Sequence, residues 1–264
     1  MPRFAINNVA KYADSMIHAV WSIMLVLLPV AVFAVGGNAS IPDYQHARDL
    51  LRDVVYRDHR RTLYCDAEYG ADRSVFLPDG FTTPSHQQRA LRMEIEHTVP
   101  AENFGRFFTE WREGHPMCVD ERGKPFKGRK CASLASEQFR LMEADMYNLF
   151  PAIGAVNALR SNYNYAVLSG IQPTFGSCAM KIADRKAEPP DRAKGQVARA
   201  ALYFDAAYGG RYCRLSKQQK RLFEAWDRQF PVSNWECVRT RRIEALQGNE
   251  QPYVKKPCIG AGLW

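Results

Sequence analysis

Beyond residue 40, apolar positions recur mainly at the spacing of an α-helix. Three segments carry the pattern: one that ends near Arg60, one that ends before Gly209, and one that Ser216 caps. Their apolar stripes are Ala47, Leu50, Leu51, Val54 and Val55; Val197, Ala201, Phe204 and Tyr208; and Leu222, Phe223, Trp226 and Phe230. We interpret these stripes as core faces of helices rather than as the lining of a cofactor site.

Segments with the character of strands are short. We predict two or three strands, near residues 63–64, 75–77 and 93–95, separated by turns that contain glycine and proline. No internal repeat, low-complexity tract or linker divides the chain. The pattern therefore predicts a helix-rich single domain with a small sheet.

The N-terminal segment has the plan of a signal peptide. Val20–Val35 is apolar except for Ser22 and Pro29, it follows basic residues, and it precedes small residues. With Gly37 and Ala39 at the −3 and −1 positions, we predict a signal peptide over residues 1–39 and a mature domain over 40–264. An uncleaved anchor helix is the alternative.

The charge of the chain makes a polyanion a plausible partner. Lys and Arg number 36 against 28 Asp and Glu, which gives a net charge of +8 at pH 7. A basic surface is also a common way to remain soluble, so charge alone does not identify a nucleic-acid-binding protein.

Export changes how the seven cysteines are interpreted. The sequence has no C-x-x-C pair and no His at a zinc-ligand offset from any cysteine, so disulfides are favoured over a metal cluster. Cys118 and Cys131 are the best candidates for one bridge, and Cys237 and Cys258 bracket the C-terminal tail. The remaining connectivity stays open, and the odd number leaves one thiol over.

The residues suited to catalysis lie between 94 and 162. Glu96 and His97 are adjacent at the predicted end of a strand, and Pro151 is placed to open a helix that carries Asn157. A carboxylate and a carboxamide oxygen suit Mg²⁺, and a neutral His can accept a proton from water. The cationic loop KGRKC at residues 127–131 adds an Arg that could hold a phosphate. Each group also has an ordinary alternative, as a surface, core or turn residue.

Four blocks of the sequence resemble the bacterial endonuclease I family of periplasmic or secreted nucleases. The blocks occur in the order found in that family, and the resemblance as a whole runs from about Ala47 to Cys258. The blocks are EIEHTVPAENFG at 94–105, MEADMYNLFPAIGAVNALRSN at 142–162, SKQQKRLFEAW at 216–226 and PVSNWECVRTRRIEALQGN at 231–249.

The resemblance implies an α+β fold, a helix-rich single domain with a small sheet, that contains a ββα-metal, or His-Me finger, site. It assigns the general base to His97, the metal ligands to Glu96 and Asn157, the phosphate contact to Arg129 and a supporting role to Glu143. The implied ion is one Mg²⁺, with Ca²⁺ or Mn²⁺ as alternatives. The implied enzyme is a monomeric endonuclease without stable membrane association after signal cleavage. It hydrolyses double- and single-stranded DNA, with RNA as a further substrate, to 5′-phosphorylated products.

The cysteine set departs from the family near Cys65, and Cys213 lies where no family cysteine is expected. Cys213 is therefore the candidate free thiol. Two rival functions remain open: a non-catalytic, exported DNA-binding or uptake protein, and a hydrolase with Cys213 as its nucleophile. Further phosphate contacts are expected from Lys124, Lys127, Lys130, Arg239, Arg241 and Arg242.

Overall fold

Helices form most of the regular structure of residues 35–264, the part of the chain that the computed structural model describes. A π-helical turn, Leu51–Val55, follows the first helix, and a 3₁₀ turn, Met146–Asn148, precedes a central strand. The α-helices are α1 Tyr44–Leu50, α2 Gln87–Ala90, α3 Ala101–Gly105, α4 Thr109–Arg112, α5 Arg129–Ala135, α6 Glu137–Glu143, α7 Gly154–Arg160, α8 Asp191–Tyr208, α9 Lys217–Gln229, α10 Asn234–Gln247 and α11 Pro252–Gly260.

The strands of the described residues are short and form small sheets. Strand β1 pairs with β2 and β3 with β4, both antiparallel, while β7 lies between parallel β5 and antiparallel β6. Their bounds are β1 Glu68–Tyr69, β2 Val75–Phe76, β3 Met93–His97, β4 Leu149–Ile153, β5 Asn164–Tyr165, β6 Lys181–Ala183 and β7 Lys186–Glu188. The predicted helix-rich α+β class is confirmed.

Helix α8 lies at the centre of the core and is buried along most of its length. Gly195 allows the chain after α9 to approach, since a Cβ there would lie 2.3 Å from the carbonyl oxygen of Phe230. The buried Arg199 donates from Nε and a terminal nitrogen to Glu236 on α10, at 2.7 and 2.6 Å, and bonds Asp227 on α9 at 3.0 Å. Because a bidentate pair requires one geometry, this contact fixes the three helices relative to one another.

Strands β3 and β4 and helix α7 form one continuous unit. The two strands pair so that Glu96 faces Phe150 and His97 faces Leu149, and α7 begins directly after β4. Helix α7 starts at Gly154, where a Cβ would lie 2.4 Å from the carbonyl oxygen of Arg89. Only glycine permits this close approach, which brings α7 against the segment that leads into β3.

The described residues contain three disulfides. They are Cys65–Cys178, Cys118–Cys131 and Cys237–Cys258, and Cys213 is free. The predicted Cys118–Cys131 bridge and the predicted free thiol are thus both confirmed.

Three local predictions are wrong. The first helical segment ends at Val55 rather than near Arg60, because Arg242 donates to the Val55 carbonyl at 2.7 Å and satisfies the helix end. Residues 63–64 form no strand; they are apolar because they are buried in a turn. Pro151 lies within β4, where its carbonyl accepts from the Leu63 N–H, and the helix begins three residues later.

Within residues 35–264, no helix combines the length and apolar character needed to cross a membrane. Residues 1–34, which hold most of the predicted signal peptide, lie outside the described residues. The assignment of residues 1–39 as a signal peptide stays a prediction.

Candidate active site

One cleft of about 260 Å³ is lined by Glu96, His97, Arg129 and Asn157. The first two residues end β3, Arg129 begins α5, and Asn157 lies on α7. The structure therefore brings together four of the five residues that the sequence singled out, from three separate parts of the chain. The fifth, Glu143, lies behind this cleft.

The hydrogen bond of His97 defines which ring nitrogen is free. Its Nε2 lies 2.9 Å from the backbone carbonyl oxygen of Glu143, and a carbonyl oxygen can only accept. Nε2 therefore carries the proton, and the neutral ring leaves Nδ1 as its unprotonated nitrogen. Within residues 35–264 no donor pairs with Nδ1. The ring packs 5.1 Å from the ring of Tyr44, which restricts its rotation.

The environment of His97 favours the neutral imidazole. Burial of the ring, with the positive charges of Arg129 and Arg160, lowers the pKa of His97 from its ordinary value to about 3. The imidazole is therefore neutral and able to accept a proton throughout the physiological pH range.

Glu143 contacts both His97 and Arg129. Its backbone carbonyl holds His97, while its buried carboxylate accepts from Arg129 Nε and from Ser133 Oγ at 2.8 Å. This arrangement suits the supporting role predicted for Glu143, because the residue fixes two neighbours and lies outside the cleft lining.

Glu96 is buried, and one of its two carboxylate oxygens is committed. Oε1 accepts from the Tyr64 hydroxyl at 2.9 Å and lies 2.9 Å from a guanidinium nitrogen of Arg160. The other oxygen, Oε2, has no donor among residues 35–264. Arg160 is fully buried and also donates to the carbonyl oxygen of His97 at 2.6 Å. Its charge compensates that of Glu96, which burial alone would disfavour.

Asn157 is oriented by a neighbour on β3. Its Nδ2 donates to Glu94 Oε2 at 2.9 Å, and Glu94 in turn accepts from Arg89 Nε at 2.9 Å. Within the described chain, no donor pairs with Asn157 Oδ1. The amide is thus held by its nitrogen, with its oxygen uncommitted.

The oxygen atoms in the cleft fit a hard divalent cation. Glu96 Oε2 and Asn157 Oδ1 are a carboxylate oxygen and an amide oxygen, the ligand types that Mg²⁺ prefers. In residues 35–264, no three His, Cys, Asp or Glu side chains cluster as they would around zinc. Two protein ligands suit Mg²⁺, which keeps several waters and takes its remaining ligands from a phosphate.

A second, larger cleft adjoins the first. Its volume is about 480 Å³, and it shares Ile95, Arg129 and Asn157 with the first cleft. Five more arginines line it: Arg48, Arg52, Arg73, Arg89 and Arg92. In the sequence these arginines are spread over more than forty residues, so no local motif indicated them. We call this feature the arginine cleft.

The arginines of this cleft differ in how far they are neutralised. Arg52 pairs with Asp49 and Asp53, and Arg89 and Arg92 pair with Glu94. Within residues 35–264, Arg48 and Arg73 pair with no carboxylate. These two carry uncompensated charge beside the candidate site.

The basic residues expected near the C-terminus have other contacts. Arg239 is buried, donates to the Met146 and Leu149 carbonyls at 2.7 Å and lies 3.9 Å from the Phe150 ring centroid. Arg242 pairs with Asp58. The expected phosphate contact is wrong for Arg239, because this side chain is buried and holds α10 against the rest of the fold. For Arg242, which is partly exposed, it stays a prediction.

The clefts at the candidate site are not lined by Arg241, Lys124, Lys127 or Lys130, and the phosphate contacts expected of these residues stay predictions. Arg241 donates to the carbonyl oxygen of Leu263 at 2.8 Å. Lys127 lines a separate cleft, and Lys130 lies over the Phe126 ring at 4.9 Å. Arg129 is thus the one member of the KGRKC loop that lines the cleft with Glu96, His97 and Asn157.

Cys213 lies in another pocket, which adjoins the exposed Phe107 and Arg106. Burial and the nearby Asp205 raise the pKa of the Cys213 thiol to about 12. Since the thiolate is the nucleophilic form, this pKa argues against a hydrolase built on Cys213.

The comparisons with known proteins give the chain its family. The family model described as Endonuclease I matches residues 53–258, which is most of the chain. The chain belongs to the endonuclease I family. The matched residues include all six disulfide-bonded cysteines of the described chain and all five candidate site residues.

Relatives in the endonuclease I family match over nearly their full lengths. A periplasmic deoxyribonuclease of Aeromonas hydrophila is 40% identical over 223 residues, covering 81% of this chain and 87% of that protein. An extracellular deoxyribonuclease of the same organism is 38% identical over 241 residues, covering 87% and 98%. An Endonuclease-1 of Buchnera aphidicola (subsp. Acyrthosiphon pisum) is 33% identical over 225 residues, covering 83% of each chain.

Proposed function

We propose that this chain is an exported, divalent-metal-dependent endonuclease that hydrolyses DNA with little sequence preference. The observation that carries the proposal is that Glu96, His97, Arg129 and Asn157 line one cleft in a member of the endonuclease I family. The relatives named as periplasmic and extracellular deoxyribonucleases support both the substrate and the export. The signal-peptide plan of the N-terminal segment also supports export.

Each side chain in the cleft has a separate task. His97 Nδ1 accepts a proton from the attacking water, while the Glu143 carbonyl holds the ring in the tautomer that leaves Nδ1 free. Arg129 holds the scissile phosphate and stabilises the charge that develops on it. Attack at phosphorus with release of the 3′ oxygen leaves a 5′ phosphate on the product.

Glu96 and Asn157 would hold the divalent ion by their uncommitted oxygens. When bound there, Mg²⁺ supplies charge neutralisation at the phosphate and at the departing oxygen. Because an imidazole accepts the proton from water, one ion is sufficient.

The arginine cleft supports a polyanionic substrate. Guanidinium groups that contact phosphates bind the backbone without distinguishing bases, which is the basis for the low sequence preference. The cleft continues from the candidate catalytic residues, so a strand bound there would pass His97 and Arg129.

The first experiment incubates purified mature protein with supercoiled plasmid, with Mg²⁺ and with EDTA. We expect nicked and linear DNA only with Mg²⁺, and His97→Ala should lower turnover by about 10² to 10⁴-fold with DNA affinity retained. A protein that binds plasmid and leaves it intact would support the rival role in DNA binding or uptake. A parallel incubation with a single-stranded RNA tests the wider substrate range.

A further inference from the structure

The segment that leads into α1 is built into the fold. We call residues 35–41 the N-terminal strap. The carbonyl oxygen of Gly36 accepts from Asn249 Nδ2 at 2.8 Å, and a Cβ on Gly37 would lie 2.3 Å from the Tyr208 ring. Glycine at position 37 is therefore required for the strap to lie against α8.

Asn38 is the centre of the strap and is almost fully buried. Its backbone N–H donates to the Tyr208 hydroxyl at 2.8 Å, and its Nδ2 donates to the carbonyls of Ile41 and Leu141 at 2.8 and 2.9 Å. Its Oδ1 accepts from the backbone N–H groups of Ser40 and Ile41. Every polar atom of the amide is thus paired.

The strap bonds to a buried acid close to the candidate catalytic residues. Asp145 accepts from the hydroxyls of Tyr203 and Tyr208, both at 2.7 Å, from Gln247 Nε2 at 2.9 Å and from the Asn38 N–H at 3.3 Å. Asp145 lies two residues beyond Glu143, whose carbonyl holds His97.

A cut after Ala39 conflicts with these contacts. It would remove Asn38, and with it the donor to the Leu141 carbonyl and the acceptor for the buried Ile41 N–H. Polar groups that lose their partners in a protein interior are costly. It would also place a charged α-amino group at Ser40, whose N–H now bonds to Asn38. The sequence offers an earlier site, where Val32 and Ala34 supply apolar, compact residues at −3 and −1.

We propose that export cleaves the chain between Ala34 and Val35, so that the mature protein keeps the strap. Water hydrolyses this peptide bond, which leaves a carboxylate on Ala34 and an α-amino group on Val35. The inference rests on the export in the proposed function, and it differs from the cut after Ala39 that the residue pattern first suggested.

The test is the N-terminus of the exported protein. The full chain is expressed with its own N-terminal segment, and protein from the periplasm or medium is analysed by intact mass and N-terminal sequencing. We expect the first residue to be Val35. An exported protein that begins at Ser40, or that keeps residues 1–34, overturns this inference alone. Full-length protein that stays in the cytoplasm overturns the proposed export as well.

A second measurement tests whether the hydrogen bonds of the N-terminal strap stabilise the fold. Proteins that begin at Val35 and at Ser40 are produced directly and compared by thermal unfolding. The lost hydrogen bonds should lower Tm by roughly 4–10 °C in the shorter protein, and Asn38→Ala in the longer one should act in the same direction. The control is Ala39→Ser, an exposed position of the strap, which should leave Tm unchanged. Equal Tm values for the two lengths would overturn the inference.

A separate observation concerns Glu94, whose side chain faces Asn157. Glu94 Oε2 accepts from Asn157 Nδ2 at 2.9 Å, and Arg89 bonds both carboxylate oxygens of Glu94. The Arg89 contact fixes the carboxylate, and the carboxylate fixes which end of the Asn157 amide is free. Without Glu94, the amide could rotate and present its NH₂ group in place of Oδ1.

We infer that Glu94 is a positioning residue for the proposed metal site. It acts through Asn157 and contacts no substrate itself. The inference rests on the proposed function, since it concerns the oxygen that would bind the ion. Groups that orient metal ligands typically change metal affinity by about 10–100-fold when they are removed.

Two variants separate the hydrogen bond from the charge. Glu94→Ala and Glu94→Gln remove the same negative charge, but the glutamine amide oxygen can still accept from Asn157 Nδ2. In the wild-type protein, Glu94 Oε2 accepts from both Asn157 and Arg89. The Glu94→Gln side chain therefore keeps the most contacts when its amide oxygen takes the place of Oε2. The variants therefore differ mainly in the acceptor for Asn157.

The readout is the affinity for Mn²⁺ in the absence of DNA, followed by electron paramagnetic resonance. Glu94→Ala should weaken binding about 10-fold or more, and Glu94→Gln should stay within about 3-fold of the unsubstituted protein. Equal losses in both variants, or none in either, would overturn the positioning role. If the unsubstituted protein binds no Mn²⁺, the proposed metal site fails together with this inference. Thermal unfolding of each variant confirms that it is folded.

Discussion

His97 has a consequence for stability that follows from its surroundings. Its pKa is about 3 in the folded protein and near the ordinary 6.5 in the unfolded chain. Below pH 6.5, His97 therefore binds a proton in the unfolded chain but stays neutral in the folded protein. This contribution to the free energy of unfolding is fully present above pH 6.5 and is lost as the pH falls, by up to about 1.4 kcal/mol per unit.

We therefore expect the stability of the unsubstituted protein to fall more steeply with acid than that of His97→Gln. Glutamine removes the titrating group and can still donate to the Glu143 carbonyl. The measurement is denaturant unfolding of both proteins between pH 7 and 4.5. Parallel stability curves would contradict the lowered pKa.

At the same scale, the chemistry of single residues was the easiest part to predict. The atoms of Glu96, His97 and Asn157 suit a base and a metal, and the three residues line one cleft. Their partners were not predictable, because Tyr64 and Arg160 reach Glu96 through tertiary contacts across many residues of sequence. No local spacing encodes such contacts.

At the scale of elements, the spacing of apolar residues predicts the long helices. It does not predict the structure of short segments. Helices α8 and α9 were predicted because each has several turns of regular spacing. The local preference of Pro151 is for the start of a helix, but the residue lies in β4 because β3 provides a partner strand. Tertiary pairing overrides a local preference where an element is only five residues long.

The arginine cleft gives a prediction at the scale of elements, since it draws on α1, the β1–β2 region and β3. Arg48 and Arg73 carry charge that no described carboxylate neutralises, so each should contact a phosphate. Replacing both with alanine in a His97→Ala background should weaken duplex binding and flatten the slope of log affinity against log salt by about 2.

A charge-matched control is available on α9. Arg221 and Arg228 are exposed there, and within residues 35–264 neither forms an ion pair or lines a described cleft. Replacing these two with alanine should leave the salt slope nearly unchanged. Equal effects of the two double variants would mean that net charge, rather than the arginine cleft, governs binding.

At the scale of the whole molecule, the three disulfides of the described residues close loops of very different length. Cys118–Cys131 was predictable because its cysteines are 13 residues apart, whereas Cys65–Cys178 spans 113 residues and only the fold defines it. In the chain-entropy view a longer closed loop restricts the unfolded chain more, by about 4.7 kcal/mol for 100 residues against about 3 for 15.

The difference in loop length predicts which disulfide contributes more to the free energy of unfolding. Replacing Cys65 and Cys178 together with alanine should lower the free energy of unfolding by more than replacing Cys118 and Cys131, as measured by denaturant unfolding.

Cys213 provides the internal check on redox state. The denatured, unreduced protein should titrate one thiol, and that thiol should react about 10³-fold more slowly in the folded protein at pH 8, because a pKa of about 12 leaves little thiolate. Active enzyme that titrates seven thiols would show that no disulfide is needed for the fold.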